Sequence, residues 1–595
     1  MKILGLSLGQ LTTACVMVDG KIIACASEER WTRQKNDMTY PKNAIEFCLK
    51  EAKISSKDLD VIAIGSMHIP ADYQITKTFS NFSSDDYLRA QKEYWYPKFY
   101  EGKNPRWVDV FKDKIDTKQY PRGWESIDFT DADTQWSTYK PFIHNTIANH
   151  LGVDKSKIIH VDHHTAHAFY SYYASPLRGD ALIFTADAYG DGLSATISTV
   201  KDGKIERVTE SKTFNLGRLY RYITELLGMK PNEHEYKVMG LAPYSKPYYS
   251  DKPYKIFKEN LFVDGLEFKY KEKPTDMYFY FRNKLEGCRF DGIAGGLQRY
   301  VEDILSEWVS NALKLYKAKR VVFGGGVGMN MKAMHKIGQI SEIEEFFVPP
   351  SVGDESLAPG VCYKVMHDYC EAENIDKNIL KPLESAYLGP DISEGEVDVM
   401  LQGGDVEKKY DVTRNVTAGE VAQLLADGGV VARCVGRMEF GARALGNRSI
   451  LANPKYPNIV RKINEKIKNR DFWMPFTPSI LAEKSDLYLQ NPKKYFAPYM
   501  TVGFDSTLKA QEDIPGALHS ADFTARPQMV TKEMNPKYHE IITEFEKLTG
   551  ISALLNTSFN LHGFPIVMTP VDALFVFENS DIDAVLVGET LIRKK

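Results

Sequence analysis

A strand pattern that occurs twice constrains the fold of this chain more than any other feature of its sequence. The first copy, ILGLSLGQLTTACVMVDGKIIACASEER, starts at Ile3, and the second, ALIFTADAYGDGLSATISTVKDGKIERVTES, starts at Ala181. In each copy an apolar strand leads through a glycine-containing loop to a second strand, and an Asp-Gly-Lys turn precedes a third. Asp19-Gly20 and Asp202-Gly203 are strong hairpin turns because glycine accepts the positive φ that these turns need. The repeat predicts two halves of similar fold.

Actin-like ATPases and sugar kinases are built from two such halves, with the glycine loop of each half facing a shared cleft. A third glycine element fits that plan, because a predicted strand at 320–323 is followed by Gly324-Gly325-Gly326 and a predicted helix at 329–337. Bare backbone N–H groups at a helix start are a ready anion or nucleotide site. A tight turn is the alternative for the triplet alone, but its position after the two hairpins favours a nucleotide site.

Length and composition set the next limits. At 595 residues the chain exceeds what one hydrophobic core supports, so it should divide into two or three domains. Hydrophobic residues make up 43% and charged residues 26%, which is ordinary for a globular protein. A formal net charge of −4 predicts no broad attraction to nucleic acid or membranes, so any anion site must come from local clusters of Lys and Arg.

The cysteines are scattered, odd in number and without a CxxC pair. They are Cys15, Cys25, Cys48, Cys288, Cys362, Cys370 and Cys434. This pattern indicates reduced thiols, not a disulfide framework or a zinc knuckle. The apolar stretch at 3–8 contains Gly5 and Ser7 and is too short for a signal sequence or a membrane span. We therefore predict a cytoplasmic protein.

The densest histidine cluster, HHTAHA, starts at His163. His163 and His167 are spaced i, i+4 in a stretch compatible with a helix, so both imidazoles would project from one face, as metal ligands require. A polar domain seam that binds nothing is the alternative for the pair alone. Asp354, in a Pro/Gly-rich loop, is the third-ligand candidate, and Asp187 and Asp191 on the second glycine loop are further candidates. A mixed His/carboxylate site suits iron, zinc or manganese.

From residue 428 the chain becomes rich in arginine and glycine, in the string GGVVARCVGRMEFGARALGNRSILANP. The basic residues of this string and of the following KIKNRDFWMPFTP include Arg433, Arg437, Arg443, Arg448, Lys468 and Arg470. A solvated basic face is the alternative, but a surface helix would not need the interleaved Gly436, Gly441 and Gly446. Arginines among glycines are typical of a pocket for phosphate or carboxylate, where the guanidinium fork makes bidentate contacts.

Two further polar segments belong to the same region. HSADFTAR, from His519, supplies Arg526, and LLNTSFN, from Leu554, is a short predicted strand that leads into a loop with Ser558. Such a hydroxyl- and amide-rich loop can bind nucleotide phosphates or a small planar amide. A simple Asn/Ser turn is the alternative.

Seven strings of this sequence resemble, in order and over nearly the whole chain, those of the NodU/CmcH carbamoyltransferase family. They are HVDHHTAHA, NEHEYKVMGLAPY, GGGVGMN, GDESLAPG, GRMEFGARALGNRSILA, HSADFTAR and LLNTSFNLHGFPIV. The resemblance implies a fold of the α/β and α+β classes. It implies a duplicated actin-like (ASKHA) domain similar to the tRNA threonylcarbamoyl transferase at residues 1–375. A domain similar to threonylcarbamoyl-adenylate synthases would follow at residues 385–595.

The same resemblance implies a two-step reaction. Carbamoyl phosphate and ATP would give carbamoyl-adenylate in the C-terminal domain, and the carbamoyl group would then pass to an acceptor hydroxyl at a metal in the N-terminal domain. Carbamate is a poor electrophile, and adenylation gives it a good leaving group. The activation pocket must hold two anionic reactants together, so several cations are needed to offset their repulsion.

Residue roles carry over by motif match. A divalent metal, iron in preference to zinc or manganese, would be held by His163, His167 and Asp354, with Asp187 as a further ligand or a base. ATP, with Mg, and carbamoyl phosphate would be held by Arg443, Arg448, Lys468, Arg526, Ser558 and the Gly324-Gly325-Gly326 turn. The predicted catalytic residues are His163, Asp187, Arg443 and Lys468. The predicted partner is a small-molecule hydroxyl acceptor, with no nucleic acid and no membrane, and a homodimer is left open.

Two positions depart from the family pattern. Relatives commonly carry His-Asp in the first glycine loop, where this chain has Gln10-Leu11, and neither of these side chains can act as a general base. Relatives also tend to have Arg after the Trp of a Lys-x-Arg-acid-x-Trp-Arg-Pro stretch, and here Met474 follows Trp473. One phosphate contact is thereby lost or supplied from elsewhere.

An aromatic- and charge-rich stretch at about 72–143 is interpreted as an insertion. Its aromatic faces suit a lid that stacks on a sugar-like acceptor, with packing of a local subdomain or a dimer interface as the equal alternative. The competing functions are a tRNA-modifying threonylcarbamoyl transferase, a non-catalytic nucleotide-binding relative and a plain actin-like sugar kinase. The near-neutral charge and basic C-terminal block count against the first, the retained motif residues against the second, and the C-terminal domain against the third.

Overall fold

The computed structural model describes residues 1–116, 120–403, 405–468 and 470–595, and these form two compact units. The N-terminal unit comprises Met1–Glu28, Asn36–Glu344 and Val352–Pro382. The C-terminal unit comprises Glu29–Lys35, Glu345–Ser351 and Leu383–Lys595. The main division therefore lies near residue 382, and two short segments that precede it in sequence belong to the C-terminal unit. Of the predicted insertion, residues 117–119 lie outside the described residues.

Twenty strands are present in the described residues. They are β1 (Lys2–Ser7), β2 (Thr13–Val18), β3 (Lys21–Ser27), β4 (Val61–Ile64), β5 (Ile158–His160), β6 (Ala181–Gly190), β7 (Leu193–Lys201), β8 (Lys204–Ser211), β9 (Leu261–Asp264), β10 (Glu267–Tyr270), β11 (Arg320–Gly324), β12 (Glu345–Phe347), β13 (Tyr410–Thr413), β14 (Val431–Cys434), β15 (Arg448–Ala452), β16 (Thr477–Leu481), β17 (Gln528–Val530), β18 (Ala553–Ser558), β19 (Ala584–Val587) and β20 (Thr590–Lys594).

The helices pack around these strands. They are α1 (Glu29–Thr32), α2 (Lys42–Glu51), α3 (Ala71–Thr78), α4 (Ser84–Ala90), α5 (Tyr96–Tyr100), α6 (Trp107–Val110), α7 (Ala132–Leu151), α8 (His163–Tyr173), α9 (Leu216–Leu226), α10 (Glu235–Leu241), α11 (Pro247–Asn260), α12 (Tyr278–Lys284), α13 (Phe290–Tyr316), α14 (Met331–Gly338), α15 (Leu357–Ala372), α16 (Glu394–Gly403), α17 (Val406–Lys409), α18 (Ala418–Ala426), α19 (Pro457–Lys462), α20 (Leu508–Asp513), α21 (Pro536–Thr549) and α22 (Pro570–Glu578). Within the described ranges, none of these helices is long and apolar enough to cross a bilayer.

Two sheets of the N-terminal unit repeat one strand order. The first has the order β3-β2-β1-β4-β5, in which β1, β2 and β3 pair antiparallel and β1, β4 and β5 pair parallel. The second contains β8, β7, β6 and β11 in that order, again with an antiparallel trio and a parallel β6–β11 pair. The α/β class is confirmed, and the two repeated segments form sheets of matching topology.

The Asp-Gly turns set the hairpins of both sheets. Asp19 and Gly20 join β2 to β3 with φ values of 46° and 82°, and Asp202 and Gly203 join β7 to β8 with φ values of 50° and 72°. Both residues of each turn are thus left-handed, as in a type I′ turn, whose twist matches that of the flanking strands. The predicted hairpins are present at the predicted residues.

Between β4 and β5 the predicted insertion is helical. Its own buried core consists of Phe82, Tyr87, Ala90, Tyr94, Trp107 and Phe111. Much of the aromatic content therefore packs a local subdomain, which was one of the two alternatives. Tyr96, Phe99 and Tyr100 are the exception, with 42%, 42% and 47% of their surface exposed.

The C-terminal unit is built on an eight-stranded mixed sheet with the order β13-β20-β19-β14-β15-β18-β16-β17. β14 and β15 are antiparallel neighbours at its centre, and the glycine-rich segment that joins them carries Arg437 and Arg443. A core that includes Ile450, Phe577 and Val585 underlies these strands. The basic segment is therefore a connection anchored at both ends by central strands.

Candidate functional site

Helix α8 places two histidines side by side. It begins at His163, and the preceding Asp162 caps it by accepting the Thr165 N–H at 2.8 Å. His163 and His167 lie one turn apart on one face, and their Nε2 atoms are 3.1 Å from each other. The side chains are 5% and 0% exposed, respectively. The sequence-predicted pair is thus brought together by helix geometry in a buried position.

Asp187 joins the pair from the end of β6. Its Oδ2 lies 3.4 Å from His163 Nε2 and 3.2 Å from His167 Nε2. The β6–β7 ladder is irregular between Ala186 and Gly190, and such an irregularity re-aims a side chain out of the regular alternation. The N–H of Gly326 donates to Asp187 Oδ2 at 3.3 Å and holds the carboxylate in place.

Asp354 completes a four-residue group, which we call the metal cluster (His163, His167, Asp187 and Asp354). It starts a 3₁₀ turn before α15, and its Oδ1 lies 4.0 Å from His163 Nε2. One ligand atom from each of the four residues lies within 4.8 Å of the others. The side chain of Asp354 is 31% exposed, so the cluster opens to solvent on this side.

The donor set fits a divalent cation. Two imidazole nitrogens and two carboxylates converge in a buried place, and this combination suits iron, zinc or manganese. Burial and then the charge of Asp187 raise the pKa of Asp354 to about 7. Burial lowers the pKa of His163, but Asp187, Asp354 and Asp191 outweigh it and raise that pKa to about 9. The carboxylates repel each other, and a bound cation would offset that repulsion.

The remaining ring nitrogens identify which atoms face the cluster. Ser356 Oγ lies 3.1 Å from His167 Nδ1, so Nε2 is the nitrogen that points at the carboxylates. His164 points away, with its Nδ1 2.8 Å from Thr185 Oγ1, and burial lowers its pKa to about 3. His164 is therefore a neutral core histidine and not a ligand.

Asp191, a further candidate from the sequence, supports the cluster from outside it. Its Oδ2 accepts the N–H groups of His163 and Met67, both at 2.8 Å, and its Oδ1 accepts the hydroxyl of Ser66 at 2.8 Å. Asp187 in β6 and Asp191 just after that strand therefore have different tasks. The first is a ligand candidate, and the second fixes the start of α8.

The glycine triplet packs directly on the strand that carries Asp187. A Cβ on Gly324 would lie 2.0 Å from Ser171 Oγ, and one on Gly325, whose φ is 82°, would lie 2.3 Å from the Ala186 carbonyl oxygen. Only glycine permits this approach. The third glycine, Gly326, then donates its N–H to Asp187, as above. The helix expected at 329–337 starts two residues later, as α14, because residues 326–329 form a 3₁₀ turn.

In the C-terminal unit, Lys468 and Ser558 are neighbours. The Lys468 ammonium donates to the Ser558 carbonyl, to Ser558 Oγ at 3.2 Å and to Asn560 Oδ1 at 2.5 Å. Lys468 is 5% exposed, and among the described residues no carboxylate lies within ion-pair distance of it. Burial, together with Arg470 and Lys35, lowers its pKa well below the usual range. This is a place where an anionic reactant would be stabilised.

Arg448 has a different environment from the predicted substrate contact. It is 0% exposed, and its guanidinium donates to main-chain carbonyls, including those of Val435 at 2.7 Å, Gly436 at 3.1 Å and Met568 at 3.3 Å. Because its donors are committed to the backbone, Arg448 shapes the segment that carries Arg443. A direct contact of Arg448 with a phosphate stays a prediction beside this role.

Glu439 holds the same segment, and it was not among the predicted residues. It is 3% exposed, and its Oε1 accepts the N–H groups of Leu445 at 2.7 Å, Asn447 at 2.8 Å and Arg448 at 3.2 Å. The available signal was a single acid within a glycine-rich basic stretch. In the sequence, Arg443 comes after Glu439 and before these three amides, and its side chain is half-buried.

Other polar side chains donate hydrogen bonds to the carbonyls of this segment. The Leu445 oxygen accepts from Tyr387 Oη and Gln528 Nε2, both at 2.7 Å, and the Ala444 oxygen accepts from Asn556 Nδ2 at 3.1 Å. Hydrogen bonds therefore hold both the N–H groups and the carbonyl groups of the segment between Arg443 and Arg448. Arg526, the other predicted contact, is half-buried on the loop before β17.

The two departures from the family pattern have ordinary packing roles. Gln10 Nε2 donates to the Asn232 carbonyl at 3.4 Å, and Leu11 has a left-handed φ of 59°. Met474 is 6% exposed, and its carbonyl accepts from Arg470 Nη2 at 3.2 Å. Neither position offers a basic or a cationic group to a ligand.

Comparisons with known proteins identify family models and relatives that this chain resembles. The model named Carbamoyltransferase N-terminus matches residues 2–362, and the model named Carbamoyltransferase C-terminus matches residues 422–594. Nodulation protein NolNO of Sinorhizobium fredii is 29% identical over 594 residues, which cover 98% of this chain and 79% of that protein. Nodulation protein NolO of Bradyrhizobium diazoefficiens is 30% identical over 446 residues, with 73% and 79% covered.

Solved structures are more distant. Component A of the (R)-2-hydroxyglutaryl-CoA dehydratase of Acidaminococcus fermentans has a TM-score of 0.32 at 12% identity, covering 61% of this chain and 97% of that chain. HypF of T. kodakarensis also has a TM-score of 0.32 at 12% identity, covering 64% and 49%. At such scores neither similarity supports a conclusion about this chain.

Proposed function

We propose that this chain, which belongs to the carbamoyltransferase family of enzymes, is an ATP-dependent O-carbamoyltransferase with a small-molecule hydroxyl acceptor. The observation that carries the proposal is the buried metal cluster of two histidines and two aspartates in the N-terminal unit. The contacts of Lys468 with Ser558 and Asn560 in the C-terminal unit support the requirement for ATP, and Arg443 and Arg526 lie on other loops of that unit. In this proposal the N-terminal unit is actin-like, as its repeated strand order suggests.

The first reaction activates the carbamoyl group. Carbamoyl phosphate is hydrolysed to carbamate and phosphate, and a carbamate oxygen then attacks the α-phosphorus of ATP. The bond to the β-phosphate breaks, so carbamoyl-adenylate and pyrophosphate are formed. Lys468 offsets the negative charge that gathers on the phosphates, because its ammonium is buried among neutral oxygens and has no competing carboxylate. Arg443 adds a guanidinium on an anchored segment.

The second reaction transfers the carbamoyl group. The acceptor oxygen attacks the carbamoyl carbon, the bond to the adenylate oxygen breaks, and AMP leaves while the hydroxyl proton passes to a base. A divalent cation held by His163, His167, Asp187 and Asp354 would polarise the carbamoyl oxygen as a Lewis acid. Gln10 and Leu11 cannot take the proton, since neither has a basic atom. Ser356 orients the imidazole of His167, and Asp191 fixes the start of α8.

The test follows activation without an acceptor. Purified protein is incubated with ATP and carbamoyl phosphate, and pyrophosphate and AMP are quantified with and without carbamoyl phosphate. Pyrophosphate and AMP formation should require carbamoyl phosphate. Lys468→Ala should lower the rate of pyrophosphate release by about a hundredfold, which is the effect expected for the loss of one donor to the transition state. Arg461→Ala is the matched control, because Arg461 is an exposed residue of the same unit paired with Glu465.

Two outcomes would contradict the proposal. Pyrophosphate release that is independent of carbamoyl phosphate would indicate another donor. Binding of ATP without any turnover would favour a non-catalytic nucleotide-binding relative, for which the Gln10-Leu11 and Met474 positions are the structural arguments. A tRNA-modifying role would instead require retention of tRNA by the protein in a binding assay.

A further inference from the structure

A group of half-buried cations lies where the helical insertion meets α9. Lys77 of α3 donates from Nζ to Tyr87 Oη at 2.9 Å. The same ammonium lies 4.0 Å from the centroid of the Phe82 ring and 4.7 Å from that of the Tyr87 ring. These contacts hold the Lys77 charge against aromatic faces without neutralising it.

Arg221 of α9 is the second cation of this group. Its Nε is buried and has no hydrogen-bond partner. Its guanidinium carbon lies 5.8 Å from the centroid of the Tyr222 ring, and the phenol groups of Tyr73 and Tyr87 are also close enough to act on its charge. In the described ranges, neither Arg221 nor Lys77 forms an ion pair with a carboxylate.

The nearby carboxylates already have other partners. Glu225 Oε2 accepts from Gln91 Nε2 at 3.0 Å, and Glu235 Oε1 accepts the N–H of Asn232 at 2.7 Å. Glu233 pairs with Lys230 at 2.6 Å, and Asp86 pairs with Lys114 at 2.5 Å. The Glu225 charge also acts on Arg221, and Glu225 Oε1 has no hydrogen-bond partner. Among the described residues neither cation has a carboxylate within ion-pair distance, so an anionic ligand would supply the direct ion pair at this place.

This group lies next to the metal cluster. Helix α9 starts against it, because a Cβ on Gly217 would lie 2.8 Å from the Ala188 N and 3.0 Å from the Asp187 carbonyl carbon. Arg221 follows four residues later, a rise of about 6 Å along the axis. An elongated small molecule could therefore reach both places at once.

We propose that Lys77 and Arg221 bind an acidic group of the acceptor, a carboxylate or a phosphate, while its hydroxyl is held toward the metal cluster. This inference rests on the proposed function and adds a substrate class to it. Tyr73, Tyr87 and Tyr222 supply the aromatic and phenolic surface that a sugar-like body needs next to its acidic group. An acceptor that carries an ammonium group would be repelled from the same place.

The test compares three acceptors that differ in one group: glucuronate, glucose and glucosamine. The full-length, metal-loaded protein is given ATP, carbamoyl phosphate and each acceptor, and carbamoylated product is measured by mass. Glucuronate should be preferred. In Lys77→Gln and in Arg221→Gln its KM should rise about tenfold to a hundredfold, which is the effect of losing one charge-assisted hydrogen bond. Lys92→Gln, an exposed lysine of the same insertion, is the control and should match the wild type.

Three results would overturn the inference. Glucosamine or glucose could be preferred by the wild type, or the two variants could leave the KM for glucuronate unchanged. Arg221→Gln could also lose pyrophosphate release when no acceptor is added. That result would mean that Arg221 binds the phosphate of carbamoyl phosphate and not the acceptor.

A binding arm separates failure of this inference from failure of the proposed function. Calorimetry of glucuronate and glucose against wild type and the two variants needs no turnover. Selective glucuronate binding that the variants lose supports the site even when the wild type forms no carbamoyl-adenylate. Equal binding by all three proteins contradicts the site even when activation is intact. Thermal melts of both variants show whether a loss of binding reflects unfolding.

Discussion

Ser356 Oγ lies 3.1 Å from His167 Nδ1, and Ser356 is only two residues from Asp354. One short turn therefore supplies both a carboxylate of the metal cluster and the group that orients one of its imidazoles. A hydrogen bond to Nδ1 leaves Nε2 of His167 to face Asp187 and a cation. Such supporting contacts commonly affect metal affinity nearly as much as the ligands themselves.

Replacement of Ser356 by alanine should weaken metal binding without abolishing it. The expected loss of affinity is about 10- to 100-fold, because the His167 ring loses its orienting partner while all four ligands remain. The loss of affinity is measured by letting the reconstituted protein compete for the metal with a chelator of known affinity. Ser341→Ala, which removes an exposed hydroxyl bonded to Glu342, should leave the affinity unchanged. Equal affinity of the Ser356 variant and wild type would mean that Ser356 does not orient His167.

Gly190→Ala should disturb the same cluster by steric means. A Cβ at this position would lie 2.2 Å from His163 Cδ2 and 2.6 Å from its Nε2, so the imidazole would have to move. We expect a loss of stability of about 1–3 kcal/mol from overpacking, and less metal per chain. Metal content and thermal unfolding measure the two effects. Gly395→Ala, where a Cβ would meet nothing within 4 Å, is the control, and unchanged metal content in Gly190→Ala would contradict the placement of His163.

Removal of the Glu439 carboxylate should impair activation and also lower the stability of the C-terminal unit. Glu439→Ala leaves three buried N–H groups of the segment 445–448 without their acceptor, at about 1–3 kcal/mol for each unsatisfied group. The displaced Arg443 should raise the KM for ATP in the pyrophosphate assay, and Glu439→Gln, which keeps one acceptor oxygen, should do so less. Glu512→Gln, an exposed position of the C-terminal unit, is the control. An unchanged KM in Glu439→Ala would show that Arg443 does not depend on this anchor.

Local periodicity was enough to predict some of these features. The i, i+4 spacing of His163 and His167 requires only that α8 be a helix, and the Asp-Gly turns require only left-handed φ values at two adjacent residues. Both depend on residues close in sequence. The hairpins and the histidine face therefore occur where the sequence predicts them.

Other features depend on contacts that spacing does not encode. Asp187 and Asp191 are equal candidates in the string TADAYGDG, and the irregularity in the β6–β7 ladder decides which of them faces the histidines. Arg448 is a phosphate-ligand candidate in a basic string, and spacing does not show that it starts β15, whose five residues are all buried, or that main-chain carbonyls accept from its guanidinium. The roles of Glu439 and Ser356 likewise follow from tertiary contacts.

Lys77 should titrate near neutral pH, far below an ordinary lysine. Burial, followed by the charges of Lys230 and Arg221, lowers the pKa of Lys77 to about 7. The unfolded chain keeps its usual pKa near 10.4 and so binds more protons between about pH 7 and pH 10. The contribution of Lys77 to folding stability therefore rises with pH across this window, by up to about 1.4 kcal/mol per pH unit.

The measurement is the ε-carbon chemical shift of isotopically labelled lysines, with the Lys77 signal assigned from its absence in Lys77→Met. Its midpoint should lie near pH 7, against a usual lysine pKa near 10.4. Addition of glucuronate should raise the Lys77 midpoint, because a bound anion favours the ammonium form. A midpoint near 10.4 in the free protein would show that Lys77 is hydrated or already paired, and the anion expected from a ligand would then have no basis.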